Sequence, residues 1–211
     1  MPLDLSADDL LTEVTVTTLR AYVQLDDLRV IERPGWVQLV TPSFTNGGFN
    51  EVALSSLSPD EADAIIARTV AEYAALGIKF RWIVGPGSAP ADLGERLVRA
   101  GLTRGHDAYG MARSTEPLAI TVDRAITVEA VTADTVDEFT AASAEGWNMP
   151  SEQFVRANNA ALTSTFQHLV LARVNGEPAV VFDVIKQSGT NTIAVRVLDT
   201  AGPGGFGGKP D

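Results

Sequence analysis

Gly202, Gly205 and Gly207 come nearest, by type and spacing, to residues that could do ligand chemistry. They lie in "DTAGPGGFGGKPD" (Asp199–Asp211), where residues 202 to 207 spell G-x-G-x-x-G. Glycines at this spacing let backbone N–H groups crowd round a phosphate, and the N-terminus of a following helix adds a partial positive charge. The run Thr192–Leu198, with its valines and isoleucine, supplies a strand ahead of the loop. Behind the loop stand only Lys209, Pro210 and Asp211, too few for one helical turn, so half of the motif's physical context is missing and the bare match reads as a glycine-rich tail that arose by accident rather than as a phosphate cradle. A Walker loop is excluded, because Pro203 occupies the place of its first glycine and Pro210 that of its Ser/Thr.

Other chemistry has less to build on. The absence of cysteine rules out disulfides, thiolate metal sites and a Cys nucleophile. His106 and His168, the only histidines, have no Glu or second His at metal-ligand spacing, so no metal is expected and both read as structural or surface residues. No G-x-S-x-G elbow supports Ser-His-Asp catalysis. Trp36 and Trp82 read as core residues, Glu177 as a hairpin-turn carboxylate and Asp183 as a solvent-facing one.

The elements that would position these residues fall into two runs. Leu11, Val14, Thr18, Tyr22 and Leu25 recur at helical spacing over Ser6–Leu25. Strands follow at Leu28–Glu32, at Trp36–Thr41 after "RPG" and at Phe49–Leu54 after "TNGG", an antiparallel meander. Ser58-Pro-Asp-Glu61 has the form of a capping box with proline at the first helical position, so a helix is predicted from Ser58 to Gly77. "IKFRWIVG" (Ile78–Gly85) reads as a buried strand, about Ala91–Ala100 as a second helix with Gly101 as its C-cap, and Leu102–Arg113 as a last strand. Residues 115–125 form a linker containing Pro117. The pattern then restarts with the strand "ITVEAV" and a helix capped by Thr132 that carries Val136, Phe139, Ser143 and Trp147. After the break at Asn148-Met149-Pro150 a further helix covers Ser151–Leu162. His168–Val174 and Pro178–Gln187 flank the hairpin turn "NGE", and Asn191–Leu198 closes a second meander.

Strand, two helices, a three-strand meander and then a glycine loop is the order in which the GNAT superfamily of acyl-CoA-dependent N-acetyltransferases begins. "ITVEAVTADTVDEFTAASAEGW" and "HLVLARVNGEPAVV" resemble that family's opening strand, first helix and following hairpin. The first half, with its meander, capped helix, "FRWIVG" and "DLGERLVRAGL", resembles the later portion of the same fold. The resemblance implies an α/β fold of the mixed-sheet, α+β kind in two GNAT-like units. Residues 1–114 would be a degenerate unit without a CoA loop, and 126–211 the N-terminal part of a second unit lacking its C-terminal elements, as a fragment or as a natural short form. The family's [Q/R]-x-x-G-x-[G/A] motif holds the acetyl-CoA pyrophosphate at the meander-to-helix crossing. In the first half this crossing reads "ALSSLSPDEADAII", with no glycine and with Asp60, Glu61 and Asp63 to repel a pyrophosphate. In the second half it is the glycine loop, with Gly202 standing where Gln or Arg is expected.

Carried over residue by residue, the resemblance makes Gly202, Gly205 and Gly207 the pyrophosphate contacts. The backbone amides of Val195 and Val197 become the rest for the thioester, although both valines equally suit ordinary strand core. It turns Trp147 and Met149 towards an acceptor amine, against the alternative that they simply pack. The activity implied is acetyl-CoA-dependent transfer to a small amine without a covalent enzyme intermediate, or else a non-catalytic scaffold that binds a partner or small ligand. The family's thiolate-protonating tyrosine has no counterpart here, and no catalytic residue is assigned.

Composition sets the outer limits. With 211 residues and 45% hydrophobic content the chain can bury a sizeable core. Its net charge of −11, from 16 Lys+Arg against 27 Asp+Glu, argues against nucleic acid and anionic membranes as partners. The acidic N-terminus lacks a signal-peptide pattern and no apolar run approaches membrane-spanning length, so a cytoplasmic protein is expected. The second unit's sheet edge and apolar face would need cover, from the first unit or from a second copy of the chain in a homodimer.

Overall fold

The computed structural model describes residues 6, 25–45, 49–105, 121, 123–147, 150–165 and 167–185. The chain divides into two compact units, Leu25–Gly110 on one side and Met1–Gln24 with Met111–Asp211 on the other. The described residues form an α+β protein with two small sheets and four helices.

In the first unit, β1 (Arg29–Arg33) and β2 (Trp36–Val40) make a hairpin whose register pairs Arg33 with Trp36. Pro34 and Gly35 form its turn. Proline presets the first φ, and Gly35 adopts φ +81° at the second position, where a side chain would be strained. β3 (Glu51–Ala53) runs antiparallel to β2, and β4 (Arg81–Trp82) runs parallel to β3, giving a mixed sheet of order β1-β2-β3-β4. A parallel neighbour needs a crossover, and the helix α1 (Ala62–Leu76) supplies it.

α1 begins later than the capping box predicts. Ser58–Glu61 form a turn, the position before the helix is Glu61, and no side chain caps it. The backbone does the capping instead: Glu61 and Ala62 N–H both donate to Ser58 O, at 3.1 and 3.0 Å. The C-terminal end follows expectation, with Gly77 left-handed at φ 66°. α2 (Leu93–Arg99) is shorter than predicted. "IKFRWIVG" yields only the two residues of β4, because pairing with so short a β3 ends there. Residues 102–105 carry no strand, and the rest of the predicted last strand lies outside the described residues.

The core sits between α1, α2 and one sheet face. Trp36, Val40 and Val52 from the strands meet Ala62, Ile66 and Tyr73 from α1 and Leu93 and Leu97 from α2, with Leu57 and Ile78 at the connections. Each aliphatic side chain so buried contributes about 1.5–3 kcal/mol. Rings reinforce it: Tyr73 stacks on Phe80 at 4.1 Å between centroids, and Trp36 on Trp82 at 6.0 Å. The strand β1 is charged at Arg29, Glu32 and Arg33, which discourages edge-to-edge pairing.

In the second unit, β5 (Ile126–Ala130), β6 (Gln167–Val174) and β7 (Glu177–Ile185) form an antiparallel sheet in that order. The helices α3 (Val136–Trp147) and α4 (Glu152–Leu162) lie between β5 and β6 in the chain. The "NGE" hairpin forms as predicted. Asn175 and Gly176 both take positive φ, 53° and 88°, the requirement of a tight turn that follows the strand twist. Thr132 acts ahead of α3, its hydroxyl accepting Asp134 N–H at 3.3 Å. Inside the helical layer the buried Asn158 of α4 donates to Thr140 Oγ1 of α3 at 2.9 Å, so two polar side chains satisfy each other. Arg173 ties sheet to helix through hydrogen bonds to Glu129 Oε1 (2.7 Å) and to both carboxylate oxygens of Glu138. These bonds hold the Glu138 carboxyl below its ordinary range. The predicted helix over Ser6–Leu25 and strand over Asn191–Leu198 lie outside the described residues, except for Ser6 and Leu25 themselves.

Two outcomes test this description. A Cβ on Gly35 would stand 2.5 Å from Ser56 O, so Gly35→Ala should lower unfolding stability by about 1–3 kcal/mol from the strained φ alone, read from urea denaturation. Glu138 is depressed in the fold, so its contribution is present above the ordinary glutamate pKa and lost as pH falls through the lowered value. The thermal midpoint of the native chain should therefore fall more steeply on acidification through that window than that of Arg173→Met.

Candidate functional site

Where two parallel strands part, their facing backbone groups lose partners, and an extended ligand can lie between them. The turn from such a strand into a helix can offer further amides to an anion. In the first unit that place is the gap beyond the β3–β4 pairing and the stretch from Leu54 to Ala62.

Pairing lasts for Glu51↔Arg81 and Val52↔Trp82. Arg81 N–H donates to Asn50 O at 3.0 Å and Ile83 N–H to Val52 O at 2.8 Å. The chain then leaves β3 through a turn in which Ser88 N–H donates to Gly85 O and Gly85 N–H to Ser88 Oγ, both at 3.0 Å. It returns at Ala89, which bridges Ser56 in parallel fashion. Ala89 N–H donates to Ser55 O at 2.8 Å, and Ala89 O accepts Leu57 N–H at 3.0 Å. From the opposite side Gly35 O accepts Ser56 N–H at 2.7 Å. The amides of Ser56, Leu57, Glu61 and Ala62 all donate to the chain's own carbonyls. The gap between the parting strands is closed by polypeptide.

Charge at the same turn acts in the same direction. Asp60 and Glu61 are exposed there, and Asp63 in the first turn of α1 lies 3.2 Å from Arg96. Arg96 is the cation best placed to offset them, but it is already engaged. Its Nε is 3.0 Å from both carboxylate oxygens of Asp92, and Nη1 donates to Pro59 O at 3.0 Å. The hydrogen bond from Arg96 in turn holds the Asp92 carboxyl below its ordinary range. A depression of about 220 Å³ beside this cluster is lined by Asp63, Ile66, Arg96, Arg99 and Ala100. Ligand sites are commonly ~300–1,000 Å³ and converge polar groups on one face. This depression is smaller, and its two arginines are held in ion pairs, Arg96 with Asp63 and Asp92 and Arg99 with Asp92.

Beneath the turn, the polar groups are structural. The Tyr73 hydroxyl, carried by α1, donates to Leu39 O at 2.6 Å with Glu51 O at 3.3 Å, where β2 and β3 part. Burial raises its pKa far above the ordinary phenol value, which keeps it a neutral donor and removes it from proton transfer near neutral pH. The buried Asn50 side chain accepts Thr41 N–H at 2.7 Å and donates to Phe44 O at 2.6 Å, standing in for ladder bonds. Glu51 is buried at 2% exposure and paired with Arg81, which is 56% exposed. On the helix side Glu72 Oε2 accepts from Gln38 Nε2 at 3.1 Å and from Arg33 Nη2 at 3.3 Å. Trp82 Nε1 donates to Ser55 Oγ at 2.8 Å, fixing β4 to the residue where β3 turns away.

No family model, curated protein or solved structure matches the chain.

The residues assigned from sequence are distributed as follows. Val195, Val197, Gly202, Gly205, Gly207 and Met149 lie outside the described residues, as does His106. Trp147 is the last residue of α3. Glu177 is exposed at the start of β7, and His168 is exposed on β6. Trp36 is buried in the core, as its type predicts. Among the described residues no group of three or more His, Cys, Asp or Glu could hold a metal ion, and no helix is long and apolar enough to cross a membrane. Ala89, Gly35 and the Ser55 carbonyl close the gap through backbone atoms, while the Ser55 hydroxyl accepts from Trp82. The only sequence signal was the pair of prolines, Pro86 and Pro90, that bracket the returning loop.

Tyr73→Phe removes the donor to Leu39 O and leaves a buried carbonyl without it. The variant should unfold with about 1–3 kcal/mol less stability in urea, with its far-ultraviolet circular dichroism unchanged before the transition.

Proposed function

We propose that this is a two-unit GNAT-like protein whose first unit is a non-catalytic scaffold, and that acetyl-CoA-dependent acyl transfer to a small amine belongs to the second unit. One observation carries the proposal: Ala89 fills the gap where β3 and β4 part, and Gly35 O, Ala89 O and Ser58 O take the amides of Ser56, Leu57, Glu61 and Ala62. An acyl-CoA needs those groups. Its pantetheine arm would require an open strand edge, and its pyrophosphate would require amides ahead of the helix dipole. Asp60, Glu61 and Asp63 would oppose the phosphates even if the amides were released. The first unit does not fit the coenzyme.

The order of elements supports the GNAT-like reading of both units. An antiparallel meander, a crossover helix and a parallel fourth strand follow one another in the first unit. A strand, two helices and a hairpin follow one another in the second. The glycines at 202, 205 and 207 and the strand residues Val195 and Val197 are the second unit's candidates for the coenzyme, by the resemblance alone.

Hydrogen–deuterium exchange on the full chain, with and without millimolar acetyl-CoA, tests both halves of the proposal. Exchange over residues 54–62 should be unchanged by the coenzyme, while residues beyond 185 become protected. Protection of 54–62 would overturn the scaffold assignment. Absence of calorimetric binding at millimolar acetyl-CoA would remove the acyl-transfer assignment and leave the scaffold.

A further inference from the structure

We draw no further inference here: the strongest candidate, the exposed apolar patch that Ile126, Val128 and Val174 form on the β5–β6 pair of the second sheet, carries nothing because nothing in the structure shows what covers it.

Discussion

A backbone N–H has one hydrogen to give, and the first unit is organised around where those of Ser56, Leu57, Glu61 and Ala62 are given. A sheet that ends in a turn towards a helix leaves amides pointing outwards, and they must find water, a ligand or another stretch of chain. Here they find chain. The loop after β4 swings out through Gly85–Ser88 and comes back to place Ala89 between Ser55 and Leu57, while the hairpin turn at Gly35 reaches the same stretch from the other side. Helix start, strand spacing and hairpin turn are thereby fixed to a single short segment.

The short pairings of β3, with β2 on one side and β4 on the other, go with side chains that hydrogen-bond at their ends. Two residue pairs cannot satisfy the strand ends on their own. Tyr73 reaches across from α1 to the carbonyls at the parting of β2 and β3, Asn50 substitutes for ladder bonds beyond it, and Trp82 anchors on Ser55. An unpaired buried polar group is more costly than a paired one is favourable, so these residues are better regarded as repairs to an interrupted ladder than as reactive groups. The same logic governs Glu51, a buried carboxylate paired with Arg81.

What could be read from the sequence divides along physical lines. Elements set by periodicity and turn chemistry were legible: the "RPG" and "NGE" hairpins, the apolar stripe of α1, its glycine stop and the two helices of the second unit. The start of α1 was not, because Ser58 caps through its carbonyl, an atom every residue carries, where the S-x-x-E pattern pointed to its hydroxyl. The extent of β4 was not, since the apolar run Ile78–Gly85 is longer than the partner available to it. At the site, the carboxylates Asp60, Glu61 and Asp63 were legible from the sequence, and they stand exposed at the turn into α1. The closure of the gap by Ala89 depended on a long-range backbone contact and left no mark in composition. The glycine loop and the residues around Val195 and Val197 lie outside the described residues, so the coenzyme assignment stands on the resemblance.

The approach of Gly35 to Ser56 makes the hairpin turn and the helix start depend on one another mechanically. Two loops distant in sequence lean on one segment, Gly35 through the amide of Ser56 and Ala89 through Ser55 and Leu57. Freeing one carbonyl contact would unsettle the hairpin or the helix start together with the segment between them.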